Sequence, residues 1–66
     1  MSKQNGKKIV EMRNDRGLTQ VALAKRCGIS QGTLSKIESN SRGMSIGTLV
    51  RLSAALEVDI GEIMKG

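Results

Sequence analysis

The sequence predicts an all-α domain built from five short helices, and three observations support this fold class. First, the 66 residues include no Phe, Trp or Tyr, so the core must consist of aliphatic residues and Met, which small helical domains accommodate more easily than β-sandwiches do. Second, apolar residues recur at three- and four-residue spacing. Third, capping residues and glycines punctuate these stretches. At this length we expect a single domain over residues 1–66.

Glycines and a capping threonine delimit the first two predicted helices. The first helix spans residues 6–15, and Gly17 can end it because glycine adopts positive φ without strain. Thr19 can cap the second helix, which then ends at Gly28. The residues expected to face the core in these two helices are Ile9, Met12, Leu23, Ala24 and Cys27.

Three further helices are predicted, each preceded by a residue that caps helix starts. Ser30 can cap the third helix and Ser45 the fourth. Asp59, with Glu62 three residues later, resembles a capping box at the start of a short fifth helix. The residues expected to face the core are Leu34 and Ile37 in the third helix, Ile46, Leu49, Leu52 and Leu56 in the fourth, and Ile60, Ile63 and Met64 in the fifth.

Composition excludes several classes of protein and site. The single cysteine, Cys27, cannot form an internal disulfide, and the absence of His leaves no ligand set for a zinc site. No apolar run approaches the roughly 20 residues of a membrane span, and no signal peptide follows Met1. We therefore expect a cytoplasmic protein in a reducing compartment, with no metal and no cofactor.

The charge distribution favours a polyanionic partner. Lys and Arg number 11 against 6 Asp and Glu, which gives a net charge of +5. Between residues 16 and 56 Glu38 is the only acidic residue, whereas the basic residues there are Arg16, Lys25, Arg26, Lys36, Arg42 and Arg51. Such a surface suits a nucleic acid. An ordinary solvated basic face explains the charge equally well, so charge alone does not decide the partner.

The stretch over residues 19–39 carries the strongest functional signal. It reads TQVALAKRCGISQGTLSKIES, two short amphipathic helices joined by a tight turn at Cys27, Gly28 and Ile29. The second of these helices begins with small or polar side chains on its outer face. This is the layout of a helix-turn-helix, in which the second helix lies in the major groove of DNA.

Three local motifs connect this pattern to a known family. They are L-T-Q-x-x-L-A over residues 18–24, G-I-S-Q over residues 28–31 and L-x-x-L-x-x-A-L over residues 49–56. With them, residues 18–64 resemble the helix-turn-helix domains of phage repressors and Cro proteins, the Cro/C1 or Xre type. The resemblance implies the compact five-helix fold of lambda-repressor-like domains and binding to double-stranded DNA.

Five positions on the third helix are candidates for reading bases. Gln31 lies at the helix start, where such helices meet base edges, and its amide matches the N6 and N7 groups of adenine. Lys36 can reach guanine O6 and N7 or a phosphate. Thr33 and Ser35 can touch a thymine methyl, a base edge or the backbone, while Gly32 lacks the side chain that many relatives use for base contact. For each polar side chain, simple exposure to water is the alternative.

A second set of residues is expected to contact DNA phosphates. The resemblance assigns this role to Gln20, because the matching glutamine of the family commonly contacts the DNA backbone. Gln20 lies in the first turn of the second helix, where free N–H groups and the helix dipole attract anions. The alternative is a surface residue that simply favours the helix. The other candidates are Ser30, Asn40, Ser41 and Arg42.

Arg13 and Glu38 are expected to form a structural salt bridge. Arg13 is four residues from Ile9 and Glu38 is four residues from Leu34, so both charges lie on apolar helix faces. A charge on such a face needs a partner, and each is the obvious partner of the other. Members of the family place an Arg–Glu pair at the matching positions. We therefore expect a partly buried pair that orients the third helix.

One departure from the family pattern concerns the end of the fourth helix. Glu57 stands where relatives commonly carry a glycine that closes this helix. If the backbone there adopts positive φ, Glu57 is mildly strained; otherwise the helix ends differently. The last helix, and any dimer contact near it, depend on which of the two occurs.

Together these features predict a transcriptional regulator, most simply a repressor, that binds a pseudo-palindromic operator as a homodimer. In the family the dimer surface often lies around the last two helices, so Leu56, Val58 and Met64 are candidates, although all three can equally belong to the core.

A second hypothesis is an antitoxin or other module that binds a partner protein. Neither a membrane nor a small-molecule substrate is expected. An enzyme is not expected either, because the sequence holds no His, no suitably spaced acid pair and no phosphate-binding glycine loop.

Overall fold

The computed structural model describes residues 6–64, and their five α-helices confirm the predicted fold class. The helices are α1 (Gly6–Asp15), α2 (Gln20–Cys27), α3 (Gln31–Glu38), α4 (Ile46–Leu56) and α5 (Ile60–Met64). The helix-turn-helix expected over residues 19–39 therefore corresponds to α2, α3 and the turn between them. No helix in this part of the chain is long and apolar enough to cross a membrane.

Hydroxyl groups cap the starts of three helices. Thr19, Ser30 and Ser45 have extended backbones, and each side-chain oxygen accepts a hydrogen bond from the backbone N–H three residues later, at 3.1, 3.1 and 3.2 Å. Each cap satisfies one of the N–H groups that a helix start leaves without an internal partner. The starts of α2, α3 and α4 are thus fixed locally, as the sequence predicted.

Four helices end in the same hydrogen-bonded turn, in which one residue adopts positive φ. That residue is Gly17 (65°) after α1, Gly28 (72°) after α2, Asn40 (62°) after α3 and Glu57 (58°) after α4. The N–H of the following residue donates to the carbonyl five residues earlier, at 2.9 to 3.0 Å. Glycine adopts this conformation freely, whereas the Cβ of Glu57 makes it unfavourable. Glu57 is therefore strained.

The core is aliphatic and lies around α2, which packs against α3 and α4, while α1 packs against α3 and α5 against α4. Cys27 belongs to this core and is 3% exposed. Burial raises the pKa of its thiol, an effect that the Arg51 guanidinium partly opposes. Cys27 thus acts as a small buried hydrophobe. The largest fully buried side chains are Ile9, Leu23, Leu34, Ile37, Leu52, Leu56 and Ile63.

Three apolar side chains that the spacing assigns to the core are exposed instead: Ile46 is 75% exposed, Ile60 38% and Met64 55%. Each is the first or last residue of its helix. The sequence offers Leu56 both as a dimer contact and as a core residue, and the structure places it in the core with no exposed surface. Its side chain is therefore not available to a partner.

The start of α1 lies directly against the end of α3. The Gly6 N–H donates to Oδ1 of Asn40 over 3.0 Å. A Cβ at Gly6 would lie 2.6 Å from the carbonyl oxygen of Ile37 and closer still to that of Glu38, so this approach requires glycine. Asn40 thus both closes α3, through its positive φ, and caps α1, through its side chain.

Replacing Glu57 with glycine should stabilise the protein. The change relieves a left-handed conformation that costs a residue with a Cβ about 1–2 kcal/mol, and it adds about 0.5–1 kcal/mol of entropic cost on folding. We expect a net gain of about 0.5–1 kcal/mol, and a domain of this size melts about 4–8 °C higher for each kcal/mol gained. Thermal unfolding followed by circular dichroism measures the shift.

The matched control is Glu57→Ala, which removes the carboxylate but keeps the Cβ. We expect no gain from this variant. An equal rise in melting temperature with alanine would show that the charge of Glu57, rather than backbone strain, is unfavourable at the end of α4.

Candidate nucleic-acid interface

Four exposed residues of α3 form one accessible surface, the outer strip: Gln31, Gly32, Ser35 and Lys36. They share a side of the helix because, at about 100° per residue, these four positions fall within an arc of about 140° around the helix axis. The opposite side of α3 packs into the core. No atom lies within 4 Å of a Cβ built at Gly32, so the strip has an open notch there. Four of the five predicted base readers therefore lie together.

Thr33, the fifth predicted reader, belongs to the cap of α3 instead. Its side chain is half-buried, and its Oγ1 accepts a hydrogen bond from the Ser30 hydroxyl over 2.8 Å. Its backbone N–H donates in turn to the Ser30 oxygen over 3.1 Å. A base contact by Thr33, or a phosphate contact by the Ser30 side chain, would compete with these bonds.

Arg13 and Glu38 form the expected ion pair behind α3. Arg13 Nε lies 2.8 Å from Glu38 Oε2, and Arg13 Nη2 donates to Oε1 over 3.3 Å. The two side chains are 14% and 5% exposed. Arg13 Nη1 also donates to the Leu18 carbonyl oxygen over 2.9 Å. The pair thus ties α3 to α1 and to the connection that leads into α2.

Two glutamines extend this ion pair to the protein surface. Gln20 Nε2 donates to Glu38 Oε1 over 2.7 Å, and Gln31 Nε2 donates to Gln20 Oε1 over 2.9 Å. The result is a continuous polar chain, Arg13–Glu38–Gln20–Gln31, from a buried charge pair to the first residue of the outer strip. Sequence reasoning missed this connection. Its available signal was that both glutamines directly follow a capping hydroxyl at the starts of adjacent helices.

The loop after α3 holds the remaining predicted phosphate contacts. Arg42 is exposed and makes no ion pair within residues 6–64. The Ser41 Oγ lies 2.6 Å from the Ser39 Oγ and donates to the Lys36 carbonyl oxygen over 3.3 Å. The Asn40 oxygen accepts from the start of α1, so its amide NH2 group is what it can offer an anion. Of these candidates, Arg42 has the least committed side chain.

Exposed apolar side chains are found on α4 and α5. Val50 is 46% exposed, and Ile60 and Met64 lie one turn apart on α5. Val58 is half-buried against the core. Two of the three predicted dimer contacts, Val58 and Met64, therefore have surface to offer. Within residues 6–64 no group of three His, Cys, Asp or Glu side chains is placed to hold a metal ion.

Residues 9–63 match the model of a helix-turn-helix protein family. The chain belongs to this helix-turn-helix family. The match runs from within α1 to within α5, so it covers the surrounding fold as well as α2 and α3.

Two curated relatives are longer than this chain. The transcriptional regulator RamB of Mycobacterium tuberculosis is 35% identical over 54 residues, which make up 82% of this chain and 11% of RamB. Antitoxin HipB of Escherichia coli is 38% identical over 56 residues, which make up 85% of this chain and 57% of HipB. The chain thus spans only part of these proteins, and the similarity concerns that part.

A solved structure agrees with the whole fold. The P22 c2 repressor protein, in complex with synthetic operator 9T, superposes on this chain with a TM-score of 0.88 and 28% identity, and the alignment covers 98% of each chain. The agreement confirms the lambda-repressor-like arrangement of five helices that the sequence motifs implied.

Removing one partner of the ion pair should destabilise the fold more than removing both. Arg13→Met leaves Glu38 without its cation, and losing one partner of a buried pair costs about 3–5 kcal/mol. Since Arg13 is partly exposed, we expect the lower end of that range. The double variant Arg13→Met/Glu38→Leu should recover part of the loss, because apolar side chains often replace buried pairs without cost. Urea unfolding measures the free energies; equal losses in both variants would show that packing, not charge, is decisive.

Proposed function

We propose that this chain is a sequence-specific DNA-binding regulator of transcription, most simply a repressor, whose helix α3 enters the major groove. The outer strip carries the proposal. It presents an amide and an ammonium group on a helix whose other side is held by the core and by the polar chain. An α-helix of about 10–12 Å diameter fits a major groove about 12 Å wide. The exposed polar groups of the strip would then meet base edges.

In this model Gln31 is the principal reader and Lys36 supports it. The Gln31 amide suits the major-groove edge of adenine, and Lys36 can reach guanine or a phosphate. The Ser35 hydroxyl lies between them on the strip. Gly32 contributes no side chain, so DNA shape or bridging water would supply specificity opposite the notch.

Phosphate anchoring is assigned to the start of α2 and to the loop after α3. Gln20 retains one amide N–H beyond its two bonds in the polar chain, and the free backbone N–H groups beside it attract anions. Arg42 supplies an uncommitted cation on the other side of α3, with Ser41 and Asn40 next to it in sequence. Anchors on both sides would fix the depth and the register of α3 in the groove.

We also propose that two copies bind a pseudo-palindromic site. One such domain contacts few base pairs, whereas two copies read half-sites about 34–36 Å apart or a multiple of that distance. Met64 and Val58, together with the exposed Val50 and Ile60, offer apolar surface for the second copy, and Leu56 is excluded by its burial. This activity would place the protein with the DNA in the cytoplasm of a bacterial cell.

A partner protein is the second candidate, because one relative is an antitoxin. The apolar side chains exposed on α4 and α5 could bind an unrelated protein as well as a second copy. The two functions are not exclusive, since a protein that binds a partner can also bind DNA.

Selection from a random duplex library, followed by titrations of the enriched sequence at several salt concentrations, tests the main proposal. A two-fold symmetric sequence whose preference survives at physiological salt would support it. Weak binding that shows no consensus sequence and disappears as the salt concentration rises would contradict the proposal, since phosphate contacts alone behave in that way. The search would then turn to a protein partner.

Gln31→Ala and Arg42→Ala should weaken DNA binding in different ways. Gln31→Ala should cost about 1–3 kcal/mol on the best site and relax the preference at one base pair. Arg42→Ala should weaken specific and random duplexes alike and reduce the slope of log K against log salt by about one unit. Fluorescence anisotropy titrations measure both effects. Lys25→Ala is the control, because Lys25 lies in the last turn of α2, away from its DNA-facing start. Identical behaviour of the first two variants would refute the division into readers and anchors.

Met64→Glu should weaken binding to a duplex with two half-sites but not to an isolated half-site. Met64 is 55% exposed, so the new carboxylate can remain in water in the free protein. In the proposed dimer two such carboxylates would approach each other and repel. Parallel titrations of the two duplexes measure the difference. An equal loss on both would show that the second copy binds elsewhere.

A further inference from the structure

We infer that Glu38 selects the base that Gln31 reads, although Glu38 itself lies behind α3. It does so by fixing, through Gln20, which end of the Gln31 amide faces the DNA. This inference rests on the proposed function, because it concerns how the outer strip discriminates bases. Glu38 would then be a positioning residue as well as a structural one.

The order of donors and acceptors starts at the Glu38 carboxylate. A carboxylate paired with a guanidinium can only accept hydrogen bonds. Arg13 donates to both oxygens, and Gln20 Nε2 donates to Oε1 over 2.7 Å. If the Gln20 amide were reversed, two oxygens would face each other at that distance with no proton between them. The charge of Glu38 therefore fixes the orientation of Gln20.

Gln20 passes this orientation to Gln31. With its NH2 group toward Glu38, Gln20 presents its Oε1 to α3. Gln31 must then offer its NH2 group, and Gln31 Nε2 does donate to Gln20 Oε1 over 2.9 Å. The buried Glu38 side chain, which is 5% exposed, thus determines which end of the exposed Gln31 amide faces outward.

The groups that remain on Gln31 match one purine and not the other. Gln31 keeps one N–H donor and its carbonyl oxygen as acceptor. Adenine presents an N6–H donor and an N7 acceptor in the major groove, so both bonds can form. Guanine presents two acceptors, O6 and N7, which would require two donors. The polar chain therefore makes Gln31 favour adenine over guanine.

The decisive measurement is the ratio of affinities for adenine and guanine at the base pair whose preference is lost in Gln31→Ala. For the wild-type protein we expect a ratio of about 5- to 150-fold, the range of a good bidentate contact. In Glu38→Gln the shorter of the two Arg13 bonds, from Nε to the Oε2 position over 2.8 Å, holds the new amide oxygen. The NH2 group then takes the Oε1 position, where it faces Gln20 and gives up the 3.3 Å bond from Arg13 Nη2. Gln20 then reverses, and Gln31 accepts from Gln20 and is left with two donors. We expect the ratio to fall at least fivefold.

Replacing adenine in the duplex with the unsubstituted nucleobase purine gives an independent readout, because this base lacks the N6 amino group but keeps N7. This replacement should weaken binding of the wild-type protein and have little effect on Glu38→Gln. A purely structural role for Glu38 would instead lower affinity for every duplex alike and leave both comparisons unchanged. Circular dichroism at the titration temperature verifies that the variant is folded.

Gln20→Leu provides a second test that leaves the ion pair intact. It interrupts the polar chain and frees the Gln31 amide to take either orientation, so it should also lower the adenine-to-guanine affinity ratio. If Glu38→Gln does not fold, the result for Gln20→Leu decides the test alone. Lys25→Ala should leave the ratio unchanged. A wild-type ratio in each folded variant would overturn the inference while the proposed function stands. A wild-type protein without any sequence preference would overturn both.

Discussion

The ion pair between Arg13 and Glu38 is the contact on which the rest of the site depends. A buried carboxylate is tolerated only when its lone pairs are occupied, and Glu38 receives donors from Arg13 on α1 and from Gln20 on α2. One side chain of α3 is therefore held by both neighbouring helices. The same group sets where α3 lies and, in our proposal, how Gln31 faces the DNA. Stability and recognition are linked through it.

The connections between helices impose a second constraint, which the sequence satisfies unevenly. Four turns require a left-handed residue, and glycine fills two of them at no steric cost. Asn40 fills the third, and its side chain also accepts the Gly6 N–H. Glu57 fills the fourth despite its Cβ, because Val58 and Ile63, which follow it, are packed against the core and fix the direction of the chain. The strain at Glu57 thus results from the packing of α5.

The parts of the fold that could be predicted are those determined by neighbours in sequence. Capping hydroxyls and glycines act within one turn, so the helix boundaries followed from them, and Arg13 and Glu38 could be paired because each stood at an apolar position. The bond between Gln20 and Gln31 depends on how α2 and α3 cross and on rotamers, which no local pattern encodes. The exposure of Ile46 was missed for a related reason, since periodicity identifies the face of a helix but not how far the core extends along it.

In our proposal the polar chain also explains how a strip with few base-reading side chains can be specific. Gly32 leaves a notch beside Gln31, so Gln31 would carry more of the base recognition. Fixing a free glutamine side chain on binding costs up to about 1.5–2 kcal/mol of rotamer entropy. Because the hydrogen bond from Gln31 to Gln20 already orders the Gln31 side chain in the free protein, less entropy is lost on DNA binding, and the affinity for DNA is higher. A residue with a side chain at position 32 would add a contact, but that side chain would have to be ordered at the moment of binding. In the proposed complex, a preorganised Gln31 amide would therefore compensate for the base contact that Gly32 cannot make.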